Sequence, residues 1–430
     1  MRDQLQSSLA GFDKGLVLLW GLAVDPVLAA VRDQLRDLGV PTVLVDQAKV
    51  LATEIRLDIG ESIAGSLRTP DYEVDLNAVT AVYVRPHDSR WLPAIAEAGP
   101  QSSAWLHAVQ VDDILASWSE ITPALVVNRV EAMAANGSKP YQSTQIRELG
   151  FAVPETLITT DPAAAQEFWV RHGTVIYKSV SAVRSRVTRL CPEHIERLDD
   201  IACCPTQFQQ YIDGTDYRVH VVGDEVFACE VICDADDYRY PGTRPVEIRS
   251  CRLPGEVEER SRLMAAAMQF LVAGIDLRKT PGGDWLCFEV NPSPGFICYE
   301  QLTDQPIANA IAKLLASGPI KEKFAPPLVS CPRNKHIFRC DQNGPPARRE
   351  EGAYPERYVT DPAAAGRKAC LFRGQDISDA EPQCTPTFSL ALARRSSFTQ
   401  SSALGVFVRR PTPYFFIRSV VIWTCSIVRS

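Results

Sequence analysis

The chain lacks the short signatures of several common enzyme chemistries. Its 430 residues contain no glycine-rich phosphate loop of the P-loop kind, no GxSxG elbow and no HExxH pair. These absences argue against a P-loop NTPase, an α/β-hydrolase and a zincin-type metalloprotease. Thirteen cysteines are present, yet none is paired at C-x-x-C spacing. Cys203 and Cys204 are adjacent and Cys229 and Cys233 lie four apart, without a His-x-x-x-His partner. Reduced thiols serving as small hydrophobes are therefore expected, rather than zinc ligands or disulfides. The first residues, MRDQLQSSLAGFDKG, lack the apolar core of a signal peptide. The most apolar late run, from Pro413, is short and broken by Arg418. It falls below the roughly 18–20 residues that span a bilayer. A cytoplasmic protein with no membrane partner is the expectation.

Basic charge is scarce where most of the chain lies. Residues 1–330 hold 30 Lys and Arg against 44 Asp and Glu, whereas residues 331–430 hold 15 against 8, and the net charge is −7. An acidic body does not supply the basic surface that sequence-independent nucleic-acid binding needs, so no nucleic-acid partner is expected. Hydrophobic content of 46% and charged content of 23% are ordinary for a globular protein, and the length allows two or three domains.

Strand-like and helix-like segments alternate from the start. GLVLLWGL from Gly15 reads as a buried strand. Asp25 then suits a helix cap, Pro26 the first turn and Gly39 the end, with Val27, Leu28, Val31, Leu35 and Leu38 at helical spacing. PTVLVDQ returns as a strand, completing a βαβ unit, and AVTAVYVRP is another strand of the same α/β domain. SSAWLHAVQVDDILASWSEI is an amphipathic helix in which Trp105 and Trp118 pack rather than bind. Further on, residues 140–149 predict a helix closed by Gly150, and DPAAAQEFWVRHG a second, capped one. TVIYKSV predicts a buried strand, and TQFQQYIDGTDYRVHVVGDEVFACEVI a strand followed by a hairpin turning at Gly223-Asp224. A long helix is expected from Val257 to Gly274, then two strands joined by TPGGD. No solenoid period recurs, and beyond Lys321 the patterning fails, which predicts an irregular basic tail.

The last strand, in DWLCFEVNPSPGFICYE, places Glu289 inside an apolar run, with Asn291 two residues on. Two-residue spacing puts both side chains on one face of a strand. Asp276, in AGIDLRK, belongs to the strand expected to pair with it. Two carboxylates and an amide oxygen form a hard-oxygen set suited to Mg²⁺ completed by phosphate oxygens. Taken singly, each has a plainer role as an ion-pair partner or turn residue. Lys178 lies in a buried strand, where an ammonium needs an anion, and Lys139 opens a helix. Arg184, Arg186 and Arg189 follow at spacings of two and three, and read equally as a phosphate clamp or as a solvated basic turn. Gln210, Tyr211, Ile212 and Asp216 are compatible with a purine slot and a ribose acceptor, or simply with an edge strand, and His220 reads as a hairpin residue.

These residues, in this order, resemble the ATP-grasp superfamily, and within it the RimK-like carboxylate–amine ligases, from about Leu16 to Ala316. The resemblance implies an α/β and α+β fold: a pre-grasp domain over 1–122, a subdomain with both lysines over 123–200, one with hinge and metal strands over 201–322, and a tail over 323–430. It assigns ATP contacts to Lys139 and Lys178 and the adenine hinge to Gln210, Tyr211 and Ile212. Asp216 would face the ribose, and Asp276, Glu289 and Asn291 would hold Mg²⁺, with Mn²⁺ as a substitute. Arg218 and Arg239 become the candidates that stabilise charge on phosphates or acyl group. Two departures stand out: SAVRSRV after Lys178 has no glycine, and Gln210 stands where an acidic residue is common. The implied activity is ATP-dependent joining of a carboxylate, activated as an acyl phosphate, to an amine on a small molecule, a peptide or a protein tail. A phosphotransferase, or a non-catalytic nucleotide-binding module with a partner-recruiting tail, remains an alternative, and oligomerisation stays open.

Overall fold

A computed structural model describes residues 15–60, 63–180 and 187–319. The expected tail, and with it Arg184 and Arg186, lies outside the described residues.

β1 (Leu16–Gly21) is buried along its whole length, as its unbroken apolar run requires. The helix Pro26–Asp37 starts as its residues dictate. Asp25 accepts from the Val27 N–H at 3.0 Å, Pro26 takes the first turn, and Val27, Leu28, Val31 and Leu35 form the buried stripe. Gly39, at a φ of 64°, turns the chain into β2 (Thr42–Asp46), which runs parallel to β1. β3 (Glu54–Ile59), β4 (Ile63–Arg68) and β5 (Glu73–Asp75) form a separate antiparallel ribbon. β6 (Val79–Arg85) and β7 (Leu125–Val127) complete the parallel sheet in the order β2-β1-β6-β7. Trp118 is buried and Trp105 packs against the same core, so both tryptophans serve packing.

The second sheet is antiparallel and consists of β8 (Thr156–Thr159), β9 (Val175–Ser179), β10 (Thr188–Arg189) and β11 (Thr206–Gln210), in the order β10-β9-β11-β8. Phe208, Val175, Tyr177 and Leu157 pack from one face against Ala165 and Phe168 of the helix Pro162–His172. Alternation then sends Lys178, Gln207 and Gln209 to the other face.

The third sheet begins with β12 (Thr215–Val222) and β13 (Glu225–Cys233), a hairpin whose Gly223 takes the expected positive φ of 56°. β14 (Val246–Cys251), β15 (Val272–Lys279) and β16 (Trp285–Asn291) follow, in the antiparallel order β14-β13-β12-β15-β16. Val219, Val221, Ile275, Leu277, Cys287 and Val290 form its core face, packed on Ile146, Val257 and Met264 from two helices, Lys139–Glu148 and Gly255–Ala267. The second helix stops at Ala267, not at Gly274. Gln269 takes a φ of 60°, and the apolar run that follows enters β15, with Gly274 inside the strand. Gln142 closes the free edge of β16: its amide donates to the Val290 carbonyl at 2.8 Å and accepts from the Val290 N–H at 3.1 Å. Gln142→Leu would leave both backbone groups buried and unpaired. Urea denaturation is expected to show a loss of about 2–4 kcal/mol, and a loss within error of zero would refute that role.

Two buried polar side chains tie the parallel sheet to the turn after β16. Arg85, at the end of β6, donates to Asp25 at 2.8 Å, to the Ser293 hydroxyl at 2.8 Å and to the Pro294 carbonyl at 3.3 Å. Asn128 donates to the carbonyls of Val272 and Pro292 and accepts from the N–H groups of Leu271 and Val272. No helix among the described residues is long and apolar enough to cross a membrane, and the eight cysteines among them are free thiols.

Candidate nucleotide and metal site

Register builds the site. β15 pairs with β16 so that Asp276 lies opposite Glu289 and Gly274 opposite Asn291. Paired residues share a face, so the three oxygen-bearing side chains line one surface, the side away from the core. Phe288 is the extra residue of a bulge between the Leu277–Cys287 and Asp276–Glu289 pairs. On the other flank of β15, β12 sets Arg218 opposite Asp276, Asp216 opposite Arg278, and His220 opposite Gly274. One polar face therefore carries Glu289, Asp276 and Arg218 in a row across three strands.

Arg218 is gripped from several sides. Its Nη1 donates to Asp276 Oδ1 at 2.6 Å, and its guanidinium carbon lies 5.9 Å from the ring centre of Tyr299. It crosses Gly274, where an added Cβ would stand 2.2 Å from Nη2, so glycine is needed there for room rather than for φ. Burial weighs against its charge, but Asp276, Tyr299 and Tyr238 outweigh it and hold the group above its ordinary value. The phenols of Tyr238 and Tyr299 meet at 3.1 Å beside it. Arg239 is forked onto Asp237 with contacts of 2.6 and 2.7 Å.

The hinge segment is anchored by a second arginine. Arg278 grips Asp216 through two contacts of 2.8 Å and donates to the Ile212 carbonyl at 2.7 Å. Its guanidinium carbon lies 5.2 Å from the ring centre of Phe288 and 5.8 Å from that of Tyr211. Asp216, expected to face a ribose, is thus engaged by Arg278, although burial still raises it above the usual carboxylate range. The N–H groups of Gln210 and Tyr211 bond to the Glu155 and Thr174 carbonyls. Arg189, the described member of the arginine triplet, lies 4.4 Å from the Tyr211 ring centre and pairs with Asp236 at 2.6 Å.

Lys178 joins the two sheets electrostatically. Burial first, and then the charge of Lys139, lowers it to about 8, with Glu289 and Asp237 opposing and Arg239 adding to the fall. The charges of Lys139, Glu289 and the Asp237–Arg239 pair thus all bear on Lys178. Gln207 and Gln209, on the face of Lys178, bury their Oε1 atoms without a hydrogen-bond partner among the described residues. The sequence signal for them was the alternation in TQFQQ, and for Arg278 its place two residues after Asp276.

Among the described residues, no three His, Cys, Asp or Glu side chains cluster into a self-sufficient metal centre. Asp276, Glu289 and the Asn291 amide instead fit a cation that completes its shell with phosphate oxygens and water, as Mg²⁺ does. Arg218 bonds only Oδ1 of Asp276, and Glu289 has no ion pair among the described residues, so acceptor oxygens remain for such an ion.

Solved structures that share this fold include the following three. A RiPP-associated ATP-grasp ligase from Chryseobacterium gregarium, in complex with ADP and a leader and core peptide, superposes with a TM-score of 0.60 at 21% identity, covering 70% of this chain and 97% of that one. The ATP-grasp ligase PsnB, complexed with a phosphomimetic variant of its minimal precursor, Mg and ADP, gives 0.58 at 24% identity, covering 71% and 99%. The macrocyclase MdnC from Microcystis aeruginosa, bound with the precursor peptide MdnA, gives 0.59 at 20% identity, covering 70% and 99%. No curated protein matches the chain. The profile of the RimK-like ATP-grasp domain matches residues 144–315, which begin within the helix Lys139–Glu148 and take in the second and third sheets and the polar face. The chain therefore contains a RimK-like ATP-grasp domain over residues 144–315.

Proposed function

We propose that the chain activates a carboxylate with ATP as an acyl phosphate and joins it to an amine. The observation that carries this reading is the polar face on which Asp276 lies opposite Glu289, with Lys178 feeling the charges of both Glu289 and Lys139. Two cations suit a triphosphate, and two carboxylates suit the ion that accompanies it. Residues 123–200 and 201–322 would close on the nucleotide as two subdomains, with 1–122 as the pre-grasp domain. Lys139 and Lys178 bind phosphate oxygens, and the segment Gln210–Ile212 lies along the base. Asp276, Glu289 and Asn291 would hold Mg²⁺, which when bound neutralises phosphate charge.

A carboxylate oxygen of the substrate attacks the γ-phosphorus and ADP leaves. The amine nitrogen then attacks the acyl carbon, phosphate departs, and the nitrogen gives up a proton. Arg218 faces the charge that develops in both steps, and Arg239 is the second candidate. Such catalysis is mostly positioning and charge stabilisation, which is why no nucleophilic Ser or Cys is required. The similar structures described above hold peptides, and a peptide is the substrate class this reading favours.

Trapping with hydroxylamine tests the first step. Incubation with ATP, Mg²⁺, hydroxylamine and a panel of carboxylate-bearing peptides is expected to yield a hydroxamate together with ADP. ADP release with no hydroxamate from any carboxylate would count against an acyl phosphate.

A further inference from the structure

β12 carries one imidazole, His220, which is wholly buried two residues from Arg218. Its Nε2 lies 3.4 Å from Arg218 Nε and 3.3 Å from the Gly295 carbonyl oxygen. Its Nδ1 is buried and has no hydrogen-bond partner among the described residues. Phe296 and Tyr299 meet the ring edge to face, with centres 6.5 and 5.2 Å away. The two polar contacts exclude each other, because a neutral imidazole carries one proton. With the proton on Nδ1, Nε2 accepts from Arg218. With it on Nε2, the ring donates to Gly295 and Arg218 Nε loses its acceptor.

A packing position would not need a nitrogen here, and leaving Nδ1 unpartnered is a cost that another contact must offset. The contact that gains is Arg218. A guanidinium is a rigid planar fork, so two anchored nitrogens define its plane. Asp276 anchors Nη1 and His220 anchors Nε, while Nη2 passes over the bare Gly274 and makes no hydrogen bond among the described residues. Burial and the charge of Arg218 keep the imidazole in its neutral form, the form that can accept.

We propose that His220, as its Nδ1–H tautomer, is a positioning residue that fixes the plane of Arg218 so that Nη2 meets the anion formed in the reaction. The catalytic part of this inference rests on the ligase reading above. The hydrogen bond itself does not.

¹⁵N NMR of the full chain, with His220 assigned through His220→Gln, reads the tautomer without any nucleotide. The expected result is Nδ1–H in the wild type and a switch to Nε2–H in Arg218→Met, where only Gly295 remains as a partner. An Nε2–H wild type, or a tautomer unmoved by Arg218→Met, overturns the hydrogen bond. Turnover of Mg·ATP, read as ADP release, tests its use. His220→Leu is expected to lower kcat about tenfold with KM for ATP within about twofold, and His220→Gln, whose amide oxygen can accept, to restore most of it. An unchanged kcat in His220→Leu, or an equal fall in His220→Gln, overturns the positioning role. A wild type that binds no Mg·ATP defeats the ligase reading and the catalytic role with it, and the tautomer result still separates the two failures.

Discussion

Glu289→Gln combined with Asn291→Ala is expected to lower Mg²⁺-dependent ATP turnover by about 10³-fold or more. Stability should change by no more than about 1 kcal/mol. The asymmetry follows from the surroundings. Glu289 lies on a half-buried face, has no ion pair among the described residues, and faces Lys178 only through space. Glutamine keeps its volume while removing one charge from the oxygen set, and the alanine at 291 removes the amide oxygen. Little packing is lost, because the core face of β16 is made by Cys287 and Val290. ADP release across a Mg²⁺ titration, with thermal denaturation of the same samples, reads both effects. Survival of turnover with an unchanged Mg²⁺ requirement would remove these residues from the metal assignment.

The second large effect is expected from pH. Lys178 is lowered to about 8 in the ligand-free chain, first by burial and then by Lys139. Phosphate oxygens would restore its proton, so Mg·ATP binding above pH 8 should take up close to one proton. Affinity should fall by up to about tenfold per pH unit from there, until the lysine titrates in the complex as well. Calorimetry in two buffers of different ionisation enthalpy measures the uptake, and Lys178→Met should abolish it. Equal binding enthalpies in both buffers for the wild type would contradict the lowered lysine. Stability of the free chain runs the opposite way. The folded lysine releases its proton near 8 and the unfolded one near 10.5, so between those values the unfolded chain holds more protons. Stability therefore rises with pH through that window and is smallest below it.

Much of the architecture was legible because its signals are local. Asp25, Pro26 and Gly39 mark one helix, Gly223-Asp224 marks one hairpin, and the two-residue spacing of Glu289 and Asn291 places both on one face. What depends on which strands become neighbours was not legible. Arg218 with Asp276, and Arg278 with Asp216, are cross-strand pairs that exist only once β12 lies beside β15. Arg85 and Asn128 read as ordinary polar residues, yet each is buried by contacts with residues more than 140 positions away. The overrun of the helix to Gly274 has a different cause, since nothing in the residue type of Gln269 announces a positive φ.

The bulge at Phe288 makes chain length, rather than residue type, the determinant of this site. In an even pleat, consecutive side chains take opposite faces, so an aromatic ring and a carboxylate could share the outer face only with a spacer between them. The supernumerary residue lets Phe288 lie near Arg278 and Glu289 lie opposite Asp276 as immediate neighbours. Shortening the strand by that one residue would restore strict alternation, keeping Cys287 on the core face and Glu289 on the outer one but removing the ring beside Arg278. Along β16, many substitutions leave this phase intact, whereas deletion of Val290 would put Glu289 and Asn291 on opposite faces.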